Sequence, residues 1–427
     1  MTTYKSDWLG FETYFYNEKT KKVSSNINDV IDYSNIEFDN DGLLNYLDFG
    51  YSVFGKTFIA NVKYLLPNQE LKIIDDEIVI TDLEDPCLQY IENVSNEHDV
   101  LEKIREHVHQ WENQSVKLVI PTSGGYDSRL LNCMVSDKSM VHAYGYGICN
   151  EQDNCTEVTY AREICNILGV TYDRIPIGDF HDYVDDWFDI FGPSVHYHGM
   201  YHLEFYNKIK TLLGNDVSVL SGIVGDLWAG NKTIPTVTSP DEVFNLGLSY
   251  SYSVDSRHTK LTRISNDCET YFESKKDLLK NSRYRMVELV RFKMMLLRYL
   301  MIVPESLGMS AASPFLDLDT AMSMLTIDPS RWENRLWQVD FFRRNGVNVE
   351  EFSEVNHTQP PNTSDLDAQN KKPLGPLNPN TLDFLMDRSI IDQINNFISS
   401  NPVAYSMMNV LLPIERIINL RNGYMND

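Results

Sequence analysis

The chain is poor in cysteine, in positive charge and in long apolar runs, and each shortage removes a class of function. Six cysteines occur in 427 residues (Cys87, Cys133, Cys149, Cys155, Cys165 and Cys268), with no Cys-x-x-Cys pair and no Cys/His ligand spacing. That argues against a zinc site and predicts thiols kept in a reducing compartment. Lys and Arg number 37 against 61 Asp and Glu, a net charge of −24. A nucleic-acid groove needs a concentrated basic face, so no nucleic-acid partner is expected. The most apolar run, Met294 to Val303, is short and broken by Arg298, and Met1 to Trp8 lack the charged-then-apolar order of a signal segment. No membrane association is expected, and the predicted location is cytoplasmic. No internal repeat is present. What remains is a globular composition, 42% hydrophobic and 11% aromatic, in a chain long enough for two domains and a large core.

The densest chemistry lies in Ser123-Gly124-Gly125-Tyr126-Asp127-Ser128. A buried-strand run, Lys117 to Ile120, precedes it, and a helix-like segment, Arg129 to Met134, follows. Two glycines let the backbone turn with its N–H groups exposed, the helix N-terminus adds positive dipole, and the Ser hydroxyls supply further donors. That order builds a phosphate cradle. A carboxylate at Asp127 would be repelled by a polyphosphate unless a cation lay between them, which points to Mg2+. A Walker A loop would need Lys after its last Gly, and here Gly125 is followed by Tyr126. An ordinary Gly-rich strand-to-helix turn is the plainer alternative.

Residues 1–95 alternate short β-type runs with turn clusters: Phe11 to Tyr16, then Glu70 to Ile74 and Glu77 to Thr81 joined through Asp75-Asp76. From 96 to 427 apolar strand-like runs alternate with helical patterns. Leu101 to Trp111 and Thr156 to Leu168 read as helices, and Lys117 to Ile120, Met140 to Tyr146 and Val217 to Leu220 as strands. This alternation predicts right-handed βαβ units and a mostly parallel sheet in an α/β fold. Beyond about residue 240 the pattern turns helical, clearest over Arg283 to Tyr299 and Ser389 to Ser399, with a long loop over His357 to Asn380.

The Ser123 to Ser128 loop resembles the pyrophosphatase-type nucleotide loop of the ATP-dependent amide-forming ligases. Two further segments narrow the resemblance to the asparagine synthetase family. Ser221-Gly222-Ile223-Val224-Gly225-Asp226-Leu227 is similar to that family's Ser-Gly-Glu-Gly-Ser-Asp-Glu, and Ser313-Pro-Phe-Leu-Asp317 to its Arg-x-Pro-Phe-Leu-Asp. The resemblance implies an adenine nucleotide α-hydrolase-like (HUP-type) synthetase domain over 96–427. It also implies a truncated glutaminase-like domain over 1–95, where Leu43 to Gln69 carries the likeness. It further implies ATP and Mg2+ as cofactors, with Asp127 and Asp226 holding the metal. Ser123 to Ser128, Gly145, Tyr146, Ser221 and Gly222 would hold the nucleotide, and Arg335, or the pair Arg343-Arg344, the departing pyrophosphate. The implied reaction adenylates a carboxylate and passes the acyl group to ammonia or an amine.

Departures from the family pattern carry as much information. The catalytic N-terminal Cys of the glutaminase is missing, since Met1 is followed by Thr2 and the first cysteine is Cys87. Glutaminase activity is therefore not expected, and ammonia could come from a separate glutaminase subunit. Ile223 and Leu227 stand where the family has Glu, and Ala312 where it has Arg. An aliphatic side chain cannot take a proton. His196, His198 and His202 are the candidate replacements, each with the plainer reading of a core or surface histidine. The rival reading is an ATP-binding homologue without turnover, acting as a scaffold or regulatory subunit.

Overall fold

The computed structural model describes residues 2–247, 252–352, 359–362, 367 and 370–423. Its first part holds two small antiparallel sheets. Strands β1 (Thr3–Lys5), β5 (Gln69–Ile74) and β6 (Glu77–Asp82) form one in the order β1-β5-β6. Strands β2 (Phe15–Asn17), β3 (Val23–Ser24) and β4 (Val62–Tyr64) form the other in the order β3-β2-β4. The β5–β6 hairpin turns at Asp75 and Asp76, with φ of 49° and 65°, the left-handed pair that two-residue hairpin turns require. The strand expected from Phe11 is shorter. Asp7 accepts bonds from the Leu9 and Phe11 N–H groups and folds residues 7–11 into a turn, so pairing starts only at Phe15. Between the strands, Asn40–Phe49 forms helix α1, capped by the Asp39 side chain and ended by Gly50 at φ 80°.

A five-stranded sheet organises the rest. It contains β7 (Leu118–Pro121), β8 (Val141–Gly145), β9 (Thr171–Arg174), β10 (Ser218–Leu220) and β11 (Ser310–Ala312) in the order β11-β10-β7-β8-β9, every neighbouring pair parallel. Helix α2 (Glu97–Gln114) leads into the sheet, α3 (Tyr126–Met134) and α4 (Thr156–Leu168) cross from β7 to β8 to β9, and α5 (Val184–Phe191) and α6 (Tyr201–Leu213) return the chain to β10. The chain thus runs outward from β7 on one side and comes back to its other side. The point of reversal lies between β7 and β10, where open α/β sheets bind ligands at the strand C-termini. The fully buried run Leu118-Val119-Ile120 fits a strand covered on both faces. Strands β9 and β11 carried no sequence signal, because both are short edge strands with half-exposed residues.

The small sheets dock on the helical region through specific polar ties. Asn45 donates to Asp267 (2.7 Å), Trp8 Nε1 donates to the Leu316 carbonyl (3.0 Å), and the Trp8 ring stacks on Trp228 at 5.8 Å. One hydrophobic core cluster includes Phe15, Tyr46 and Phe58 together with Tyr405 and Ile414 of the helix Pro402–Arg421. The expectation of six free thiols fails at two positions. The loop between β8 and α4 doubles back through the Asn154 N–H to Glu151 carbonyl bond, and Cys149 is disulfide-bonded to Cys155. Cys87, Cys133, Cys165 and Cys268 are free. Part of the long loop expected over 357–380 lies outside the described residues. Among those described, no helix is long and apolar enough to cross a membrane.

Candidate functional site

The turn after β7 is held from within and from behind. The Thr122 N–H donates to the Tyr144 carbonyl (2.7 Å), and Asn132 Nδ2 donates to Thr122 Oγ1 (2.9 Å). Ser123 Oγ accepts from the Gly125 N–H (3.1 Å), and Ser128 Oγ donates to the Ser123 carbonyl (3.3 Å). Gly125 is the N-cap of α3 and has no side chain to bond the first-turn N–H groups. Those donors and the positive helix end are left for an anion. Arg129 braces the loop from the buried side. Its guanidinium donates to the Gly124 carbonyl (2.7 Å) and, through two bonds, to Glu350 (2.7 and 2.8 Å). Nothing in the sequence marked that pair, whose partners are 221 residues apart.

The second loop follows β10. The Ser221 N–H donates to the Ala312 carbonyl of β11 (2.8 Å), and Val224 adopts φ 55° before helix α7 (Gly225–Ala229). A β-branched residue with that φ is strained. The kink turns the start of α7 towards Asp127, and the Asp226 N–H donates to Asp127 Oδ2 (2.9 Å). Two glycines permit the approach. A Cβ on Gly222 would lie 3.0 Å from Asp127 Cβ, and one on Gly225 would lie 2.8 Å from Asp127 Cγ. Asp127 and Asp226 are thus brought together through the Asp226 N–H, across 99 residues of chain.

Their environments differ. Asp127 Oδ1 is buried with no hydrogen-bond partner. Burial, and then the negative charge of Asp226, push the Asp127 acid well above the ordinary carboxylate range, against the opposing pull of Arg335 and the Asp226 N–H. Asp226 accepts from Asn231 Nδ2 (3.1 Å) and is partly exposed. A divalent cation between them would relieve both the repulsion and the unmet acceptor. Among the described residues no group of three or more His, Cys, Asp or Glu could hold a metal alone. Two carboxylates suit Mg2+, which is commonly held by one or two protein carboxylates together with substrate phosphates.

The loops open on a cavity of about 550 Å3 at the strand ends. Of the predicted site residues, all line it except Gly124, Tyr126 and Arg335. Gly124 is pressed against the Tyr160 side chain, which a Cβ would meet at 2.7 Å. Tyr126 packs edge-on against Phe342, and the Arg335 guanidinium lies 4.0 Å over its ring. Arg343 is tied to Asp340 and Glu351, and Arg344 donates to the Asp340 carbonyl. The cations that do line the cavity are Lys232 and Lys293, which the sequence did not single out. Burial and the charge of Lys232 lower the pKa of Lys293, with Asp226 pulling the other way.

Of the three candidate histidines only His202 lines the cavity, where its Nε2 lies 3.3 Å from the Tyr146 hydroxyl. Burial keeps it neutral, with its pKa lowered to about 3. His196 accepts from the His198 N–H (3.2 Å), and both are buried outside the cavity lining. Glu157 lines the cavity as well, with a pKa that burial raises to about 7. Ile223 and Leu227 also face it but are almost fully buried in the core. Asp317 caps the helix Leu318–Leu325 through the Thr320 N–H (2.8 Å) and lies 3.4 Å from His107, so its contacts are structural. No protein-family model matches the chain, and no curated protein matches it.

Proposed function

We propose that this chain is an ATP-dependent amide-forming ligase of the asparagine-synthetase type, which adenylates a carboxylate and transfers the acyl group to ammonia or an amine, releasing AMP and pyrophosphate. The observation that carries the reading is the closure of the Ser221–Asp226 loop onto Asp127 at the sheet's reversal point, with Asp127 Oδ1 left unmet. Numbered from β7, the sheet order is 3-2-1-4-5, in keeping with a HUP-type synthetase domain. Val224 adds support. It occupies the fourth letter of the resembling motif, a glycine there, and keeps a glycine-like φ.

In this reading, Ser123, Ser128 and the uncapped N–H groups of α3 grip the polyphosphate. Bound Mg2+ would neutralise phosphate charge between Asp127 and Asp226. Lys232 and Lys293 take the role expected of Arg335 and hold the departing pyrophosphate beside Asp226. The cavity lining positions the acid for in-line attack on the α-phosphate, a step that needs orientation and charge neutralisation more than covalent help. The N-terminal 95 residues serve as a packed support without glutaminase chemistry. Burial raises the pKa of the Cys87 thiol, and so keeps it from acting as a thiolate nucleophile. Ammonia then arrives free or from a separate subunit.

The core packing of Ile223 and Leu227 favours the second reading, a nucleotide-binding homologue without turnover. Pyrophosphate release from Mg-ATP separates the two, measured across a panel of carboxylic acids with ammonium in wild type and Asp127→Ala. Acid-dependent release that disappears in the variant establishes the ligase half-reaction. Nucleotide binding with no release on a broad panel leaves the scaffold.

A further inference from the structure

Glu157 has no role in the chemistry above, yet it is a buried acid lining the cavity with an unmet oxygen. It sits in the first turn of α4, opposite the end of β8, where the Ile148 backbone just beyond Gly145 and Tyr146 opposes the upward push of burial on its pKa. Its Oε2 is buried with no partner. The last torsion of a Glu side chain is broad, so either oxygen can take the free position at little cost. Leaving such an acceptor unmet carries a desolvation penalty, larger for a charged group. A fold that keeps one at a cavity wall leaves it for a ligand donor.

The geometry limits what that donor is. The phosphate grip is at the end of β7, and the end of the neighbouring strand β8 is a wall of the same cavity, within reach of the nucleoside half of a nucleotide held there. Of the Glu157 carboxylate, one oxygen, Oε2, is the buried acceptor without a partner. A ribose diol is best met by two acceptors, whereas an exocyclic amine needs one. We propose that Glu157 reads the base of the bound nucleotide by accepting a hydrogen bond from the 6-amino group of a purine, and so selects adenine over 6-oxo purines. At pH 8, where Glu157 is mostly ionised, the keto oxygen of hypoxanthine or guanine would face a carboxylate oxygen with no proton between them. Discrimination then comes from repulsion and lost bonding together. The inference rests on the nucleotide reading of the site but not on ligase turnover.

The test is direct binding of Mg-ATP, Mg-ITP and Mg-dATP by titration calorimetry at pH 8, to wild type and to Glu157→Gln, with thermal melting to confirm that the variant folds. Wild type is expected to prefer ATP over ITP by about 10- to 100-fold, the range for a hydrogen bond to a charged group. Glu157→Gln presents either an oxygen or an NH2 to the base, so the preference should collapse to a few-fold while the dATP/ATP ratio stays fixed. Retained ATP preference in Glu157→Gln, or equal binding of ATP and ITP to wild type, overturns the assignment and leaves the nucleotide site standing. A change confined to the dATP/ATP ratio overturns it in favour of a ribose contact. No binding of any nucleotide to wild type removes the site itself, and the inference with it.

Discussion

Two cavities of similar size treat charge in opposite ways. The larger, about 610 Å3, lies beneath the β5–β6 hairpin against the helix Ser282–Leu297. Its ionic groups are matched. Arg291 bonds Asp85 (2.6 and 2.8 Å) and Glu288 (2.7 Å), Lys275 and the Tyr271 hydroxyl also bond Glu288, and Lys56 bonds Asp267 (2.7 Å). Burial alone would raise the acids of Asp85 and Glu288, but the neighbouring cations win and hold both low. At the sheet ends the balance is reversed. Asp127 and Glu157 are raised, and Asp127 Oδ1, Glu157 Oε2 and His202 Nδ1 are buried without partners. Among the described residues, no such orphan atom belongs to the lining of the larger cavity. Volume alone would favour the larger cavity. Unmet bonding capacity is the better guide, because a structural network satisfies its members whereas a binding site leaves them for the ligand.

The sharpest way to break this contrast is Asp127→Ala. Pyrophosphate release is expected to fall by about 10³-fold, while the melting temperature, read by calorimetry, should not drop, because the variant removes an uncompensated buried carboxylate. Glu288→Ala should do the reverse. It strips Lys275 of its carboxylate partner and leaves Arg291 with the Asp85 carboxylate alone, and is expected to cost about 3–5 kcal/mol in denaturant unfolding, leaving nucleotide affinity within twofold. If Glu288→Ala abolished binding while the fold held, the larger cavity would have to share the function.

Glu157→Gln tests the cost of the sheet-end cavity. Burial raises the folded-state pKa of Glu157 to about 7, so folding favours the protonated acid. The group costs nothing below the unfolded carboxylate range, costs more as pH rises towards 7, and costs its full amount above that. The variant should therefore be more stable than wild type at pH 8 by about 3 kcal/mol and equal to it at pH 4, if both remain folded. The smallest effect belongs to Asp317, whose contacts are structural. Asp317→Ala should lose about 1 kcal/mol of stability through the lost cap, with nucleotide binding intact.

What the sequence disclosed follows from range. The β7 turn with Asp127, helix α4 over Thr156–Leu168 and the β5–β6 hairpin were legible because each is written in a short continuous pattern of period and turn chemistry. The edge strand Thr171-Tyr-Asp-Arg174 has no apolar run to mark it. Asp226 was legible as one letter of a motif. That Val224 would bend to deliver the Asp226 N–H to Asp127 was not. Lys232 and Lys293 were missed because lysine on a helix or loop reads as solvated surface, and only the folding of distant segments around Asp226 draws these two to the cavity wall. Arg335 was anticipated as a phosphate ligand, yet its guanidinium lies over Tyr126 behind the loop. The Cys149–Cys155 bond likewise depends on a loop doubling back, which spacing alone does not reveal.

The strand order has one more consequence. Strands β7, β8 and β9 are neighbours in both sequence and space, whereas β10 must travel back past two strands to reach β7. The sheet-end cleft is the seam between a locally wound half and a half that arrives by a long return. Non-local pairing of this kind is slow to form, so a chain can be largely assembled and still have no seam. Any ligand that grips both sides binds only the finished protein, and at 100 times its Kd adds about 2.7 kcal/mol to it. If the cleft takes the nucleotide proposed for it, that nucleotide would clamp the β10 half against the β7 half.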